Sequence, residues 1–266
     1  QNYVKSRLWI FTCETLVILY YDFKRFIFVS KNCLVFLTNK INRDIFRYVL
    51  YLQKEIGSFM DVWLVHDSSV QKVNNLGLQD IKFFQYPFHT IPNFFHQGSS
   101  LLPNPLLGLQ KFAETYHYDH YLLMENDIVF NGVFSEFAAR INAEDVDYIH
   151  IATDILGGLE KHWPVELIRN NPFAALYFSW CQIFYVSSRF LNALAKFMIV
   201  NDTFYYEFLL PSLAYSKGVR IRQFENFGYR FCLSWGPAEE FEYAYQNDRQ
   251  PNTFYHPIKN LKIVDF

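Results

Sequence analysis

Tyr121-Leu122-Leu123-Met124-Glu125-Asn126-Asp127-Ile128-Val129-Phe130 is an apolar run interrupted by two acids one residue apart. Four consecutive large apolar residues, Tyr121 to Met124, predict a strand buried on both faces, the setting of a central strand in a parallel sheet. Such a strand has no reason to finish in paired carboxylates unless something positive satisfies them, because a buried uncompensated charge is costly. A hard divalent cation with oxygen ligands, bridging substrate phosphates, is one such partner. A turn with a helix cap, with Asn131-Gly132 supplying the reversal, is the other reading the spacing allows.

Upstream, Cys33-Leu34-Val35-Phe36-Leu37-Thr38 and Asp61-Val62-Trp63-Leu64-Val65-His66 are also short apolar runs ending in polar residues. Between them Ile45, Val49, Leu52 and Ile56 recur at helical spacing, after Asn42 and before Gly57. Strand, helix, strand is a β-α-β unit, which implies a parallel sheet with a right-handed crossover. Residues 81–86 read as a third strand, 87–105 as a long loop rich in Pro, Asn, Gly and Ser, and 106–116 as a helix. Downstream, the pattern predicts a helix over 134–141, a strand over 148–151, a loop over 153–171 and a strand over 181–186. Ser187 or Ser188 would cap a helix over 189–197. A helix over 204–216, kinked or started by Pro211, and a late strand over 220–224 complete the series. The expected fold class is α/β, a Rossmann-like, mostly parallel central sheet flanked by helices. No repeat or linker divides 31–266, so one domain is expected there. In such sheets ligands bind beyond the carboxyl ends of the strands. Three polar clusters fall at those ends: Thr38-Asn39, Asp67-Ser68-Ser69 and Glu125-Asn126-Asp127.

The 266 residues are 51% hydrophobic, enough to bury a core for one α/β domain. A net charge of -2 gives no electrostatic reason for nucleic acid as a partner. Cys13, Cys33, Cys181 and Cys232 lack the spacing of a zinc knuckle or a C-x-x-C motif. Reduced, buried thiols and a cytoplasmic setting follow. Residues 8–21 are apolar, but Glu14 interrupts them and Asp22, Lys24 and Arg25 follow, so the run is too short and too charged to span a bilayer. Residues 1–30 are expected to form an N-terminal extension, as a strand or hairpin. A truncated membrane anchor, or peripheral contact with the inner face of a membrane, is the alternative. No P-loop, G-x-G-x-x-G or G-x-S-x-G elbow occurs. His117-Tyr118-Asp119-His120 precedes the strand, opposite the ligand edge, and reads as a helix end.

The run from Tyr121 to Phe130 resembles the D-x-D segment of GT-A glycosyltransferases, with Glu in place of the first Asp. The order of elements over about residues 33–260 resembles that family too. The resemblance implies a GT-A-like fold, an Mn2+ or Mg2+ cofactor, Asp127 as a metal ligand, and Glu125 as a second ligand or a partner of the donor ribose. Tyr255-His256-Pro257-Ile258-Lys259 resembles the late His and Lys that return to metal and diphosphate in many GT-A enzymes, making His256 a ligand and Lys259 a diphosphate partner. Taken alone, a His-Pro near a C-terminus reads as a surface turn. Thr38, Asn39, Asp67 and Asn126 would hold the nucleotide sugar. By order of elements, Glu207 matches the acceptor-activating acid of several inverting GT-A families. Burial raises a carboxyl pKa and suits a general base; the other reading is a first-turn Glu favoured by the helix dipole. Asp154 is the competing candidate. Trp163 and Trp235 could stack on an acceptor or simply pack in the core.

The expected function is metal-dependent, hexosyltransferase-like and inverting. A sugar would move from a nucleotide diphosphate sugar to a hydroxyl of a glycan, a lipid-linked acceptor or a related molecule. Two alternatives stand beside it. One is a nucleotidyltransferase on a similar sheet, although the Gly-rich basic loop usual there has no counterpart in residues 38–44, which contain no glycine. The other is a non-catalytic carbohydrate-binding or assembly protein.

Overall fold

Seven consecutive buried residues form β1 (Asn32–Thr38). A strand without an exposed side chain needs cover on both faces, and the sequence on either side supplies it. α1 (Arg43–Ile56) is capped by Asn42, whose side chain accepts from the Ile45 amide at 2.9 Å, and it stops at Gly57; Ile45, Val49, Leu52 and Ile56 lie on its buried face. β2 (Asp61–Asp67) returns parallel to β1, with Cys33 opposite Asp61 and Thr38 opposite His66. β3 (Lys82–Tyr86) adds a further parallel strand beside β2. The computed structural model describes residues 31–69, 71–73, 80–87, 96–97, 100–101, 105–155, 172–200, 206–234 and 236–264. All lie within the unit Lys31–Phe266. The expectation for residues 1–30 lies outside the described residues.

After α2 (Pro105–Thr115), β4 (His120–Glu125) pairs parallel with the other edge of β1, with Leu37 opposite Glu125. The remaining elements are β5 (Val129–Asn131), α3 (Phe134–Asn142), β6 (Tyr148–His150), β7 (Ile183–Ser187), α4 (Ser188–Val200), α5 (Tyr206–Lys217), β8 (Ile221–Gln223), β9 (Arg230–Leu233), α6 (Ala238–Asn247) and β10 (Thr253–His256). The seven-stranded sheet has the order β8-β6-β7-β4-β1-β2-β3. Every neighbouring pair is parallel except those of β7, which is antiparallel to β4 and to β6. This mostly parallel sheet with one reversed inner strand, flanked by helices, is Rossmann-like. Side chains alternate between its faces. Leu34, Phe36, Leu122 and Met124 pack with α1 and α3. Val35, Tyr121 and Leu123 pack with α2, α4 and α5. No described helix is long and apolar enough to cross a membrane.

In four places the structure departs from the sequence expectations or decides between two of them. The segment read as a loop from 87 to 105 contains a short antiparallel pair, His96–Gln97 with Ser100–Leu101. The loop read over 153–171 opens with Asp154–Ile155, paired antiparallel with Tyr177–Phe178. Pro211 lies inside α5 rather than in its first turn. The carbonyl of Glu207, which loses its helical donor at that proline, accepts instead from the Ser179 amide at 3.0 Å. Finally, β9, β10 and β5 form a second sheet, with β9 parallel and β5 antiparallel to β10. His256 therefore ends a buried strand and does not sit on a surface turn.

Asp147 anchors the amino edge of the sheet. Its side chain is 2% exposed and accepts from Arg189 (Nε at 3.1 Å, Nη2 at 2.5 Å), from the Ser187 hydroxyl at 2.9 Å and from the Arg220 amide at 3.2 Å. Burial works against the charge, but these donors prevail and hold its pKa down to about 2. A carboxyl depressed on folding adds stability above its unfolded pKa and loses it as the pH falls through the folded value. Asp147→Asn should cost about 1–2 kcal/mol at pH 7, a figure lowered for solvent around the exposed guanidiniums. The gap between wild-type and variant melting temperatures should close between about pH 4 and pH 2. A gap constant across that window would remove Asp147 from the account of acid stability.

Candidate active site

The carboxyl ends of β1, β2 and β4 open on one cleft of about 290 Å³. Thr38, Asn39, Asp67, Glu125, Asn126, Asp127 and Lys259 all line it. Its β1–β2 side is locally ordered. The Thr38 hydroxyl donates to the Lys40 carbonyl at 2.7 Å, and Asp67 accepts from the Ser69 amide at 2.9 Å. His66, wholly buried beneath, lies within hydrogen-bonding distance of the carbonyls of Thr38 (3.2 Å) and Gln71 (2.6 Å).

The acidic end of the cleft is assembled from two distant parts of the chain. β4 delivers Glu125, and the turn that follows, closed by the Ile128 amide on the Glu125 carbonyl at 3.2 Å, carries Asp127. β5 then pairs with β10 in the register Tyr255 opposite Val129. That register places His256 beside the turn, with Nε2 at 3.4 Å from Asp127 Oδ1 and 3.9 Å from Glu125 Oε2. The Ile258 amide donates to the Asp127 carbonyl at 2.8 Å, and Lys259 Nζ pairs with Asp127 Oδ2. Glu242 of α6 holds this tail, accepting from the Lys259 amide at 2.8 Å and the Asn260 amide at 2.7 Å.

Environment separates the two acids. Burial and the Asp127 charge raise the Glu125 pKa. Asp127 is also buried, but His256 and Lys259 beside it hold its pKa below the usual carboxylate range. Two carboxylates and one imidazole, with ligand atoms within 4.8 Å of one another, form a donor set that suits a divalent cation of the manganese or magnesium kind. A cation there would offset both the burial and the Asp127 repulsion that raise Glu125.

Glu207 does not line the cleft. It is wholly buried in the first turn of α5, and its Oε1 accepts from Gln182 Nε2 at 3.0 Å. Its charge nevertheless adds to the upward shift at Glu125. Asp154 pairs through its backbone with Phe178, and its side chain, like Trp163 and Trp235, lies outside what is described. His120, from the excluded His-Tyr-Asp-His stretch, lies near Asn32 Oδ1 (3.2 Å) and the Val146 carbonyl (3.0 Å) at the amino end of β4. Gln182, Glu242 and Asn260 were not singled out from sequence. Gln182 left one signal, a lone polar residue within the apolar stretch 181–186; Glu242, on a polar helix, left none.

Fold and site together define an α/β domain of Rossmann-like architecture with an acidic cleft, edged by Lys259 and with His256 against its acids, at the carboxyl edge of its sheet. No protein-family model matches the chain, and no curated protein sequence matches it. Among solved structures it is similar to the galactosyltransferase LgtC in complex with donor and acceptor sugar analogs, at 9% identity over 72% of each chain and a TM-score of 0.45. It is also similar to 4-diphosphocytidyl-2C-methyl-D-erythritol synthase of Anaerococcus prevotii (7% identity, 73% of this chain and 88% of that one, TM-score 0.44). The glycosyltransferase GlyE of Streptococcus pneumoniae is a third (7% identity, 81% and 48%, TM-score 0.40). Likeness this distant carries no chemistry over to this chain.

Proposed function

We propose that this protein is a glycosyltransferase that moves a sugar from a nucleotide diphosphate sugar to a hydroxyl of a glycan or related acceptor, with inversion. The observation behind the proposal is the convergence of Glu125, Asp127 and Lys259, with His256 against the two acids, on a cleft whose other wall is Thr38, Asn39 and Asp67. In this reading Thr38, Asn39 and Asp67 hold the nucleoside, and Asn126 faces the sugar. Asp127, His256 and Glu125 would hold manganese or magnesium, which would supply Lewis-acid neutralisation of charge on the leaving diphosphate. Lys259, 59% exposed at its side chain, turns its ammonium to the same phosphates. Glu207 takes the proton of the acceptor hydroxyl. The hydroxyl oxygen bonds to the anomeric carbon, the bond from that carbon to the diphosphate breaks, and its electron pair leaves with the nucleotide diphosphate.

The test is incubation with a panel of nucleotide sugars and manganese, with and without saccharide acceptors. Release of nucleotide diphosphate and a new glycosidic bond are expected. Pyrophosphate release from nucleoside triphosphate and a sugar phosphate would identify a nucleotidyltransferase instead, and binding without turnover a carbohydrate-binding protein. His256→Ala and Lys259→Ala should each lower turnover about tenfold or more, the scale of losing a hydrogen bond to a charged group, while circular dichroism stays that of the wild type. Unchanged turnover in both variants would reduce the tail to a wall of the cleft.

A further inference from the structure

We propose that Gln182 is the positioning residue that holds the Glu207 carboxylate for proton transfer and ties it to the strand carrying Glu125. The inference rests on the reading of Glu207 as the base. Gln182 immediately precedes β7, the reversed strand, and its backbone carbonyl accepts from the Glu125 amide at 2.9 Å. It thereby continues the ladder one step beyond Ile183 opposite Met124, to the point where β4 becomes the acidic turn. Its side chain runs the other way and donates Nε2 to Glu207 Oε1 at 3.0 Å. The contact is dry, with Gln182 3% exposed and Glu207 fully buried.

The backbone of Glu207 is held from the same segment. Its carbonyl, released by Pro211, is bound by the Ser179 amide. Residues 179–182 thus fix both the main chain and the carboxylate of Glu207 while setting the height of Glu125. A role in packing alone does not account for an amide here. Gln182 Oε1 is buried and has no hydrogen-bond partner among the described residues, a cost that an apolar residue of the same size would avoid. The amide N–H, by contrast, serves a carboxylate that must stay ionised and in one rotation to accept a proton.

The test uses the full chain with manganese and the donor that the wild type turns over. Gln182→Met keeps the volume and removes the donor. It should lower kcat about tenfold or more, the scale of a lost hydrogen bond to a charged group, with donor KM and manganese affinity unchanged and a lower melting temperature, because a buried carboxylate loses its donor. Gln182→Glu, which keeps the shape but places an acceptor against Glu207, should be at least as slow, and it serves in place of Gln182→Met if that variant does not fold. A double-mutant cycle separates positioning from structure: in a Glu207→Gln background, Gln182→Met should cause no further loss. Wild-type kcat in Gln182→Met, or the same fold-loss in both backgrounds, would overturn the inference. Normal turnover in Glu207→Gln alone would instead remove the base assignment, and this inference with it.

Discussion

Asp127→Asn should abolish the dependence of nucleotide diphosphate binding on a divalent cation. Titrated calorimetrically with manganese present, the variant should bind at least tenfold to a hundredfold more weakly than the wild type, since even losing an outer partner of a metal ligand costs that much. With chelator present, the two proteins should bind alike. Asp127 is where the charges of the site meet. It is the acid held ionised, it faces His256 Nε2 at 3.4 Å, it pairs with Lys259, and its carbonyl anchors the tail through the Ile258 amide. Asn keeps the size and one oxygen but loses the charge. The turn should survive, because the Ile258 contact is to the backbone, so the circular dichroism spectrum should stay that of the wild type, although the melting temperature falls as a depressed carboxyl is lost. If the wild type binds nucleotide diphosphate equally with manganese and with chelator, the acids are not a cation site, and His256 and Lys259 are what they pair with.

Most of the sheet was legible in the sequence because its strands are short apolar runs ending in polar residues. The run from Cys33 to Thr38, the stripe Ile45, Val49, Leu52, Ile56, and the run from Asp61 to His66 gave the β-α-β unit within a residue or two of β1, α1 and β2. The orientation of β7 was not legible. Its five buried residues read the same whichever way the strand runs, and the reversal is set by a connection that periodicity does not see. The second sheet escaped for another reason. β5, β9 and β10 are three or four residues long and far apart in sequence, so only tertiary pairing defines them. The site divides likewise. Thr38, Asn39, Asp67, Glu125, Asn126 and Asp127 could be placed together because strand ends share an edge. His256 and Lys259 were reachable only through the resemblance, since the contact between β5 and β10 that carries them across leaves no local signature. Gln182 and Glu242 act through hydrogen bonds to groups distant in sequence, and no spacing rule anticipates those.

Glu207→Gln should leave donor and manganese binding intact and slow sugar transfer by roughly a hundredfold or more, the range for loss of a general base. Gln is nearly isosteric with Glu, can still accept from Gln182 Nε2, and cannot take up a proton. Two features fit Glu207 for that role: a charge felt at Glu125, and hydrogen bonds that fix its main chain and its carboxylate from residues 179–182. The competing account gives Glu207 a purely structural part, favouring the amino end of α5 through the helix dipole. The neutral variant would then lose about half a kcal/mol of stability and no activity. The two accounts separate on turnover at saturating donor and acceptor, measured beside a melting curve. A slow enzyme with a normal melt supports the base. Near-normal turnover would move the proton acceptor to Asp154, or show that transfer proceeds with retention and needs no enzymic base on that face of the sugar.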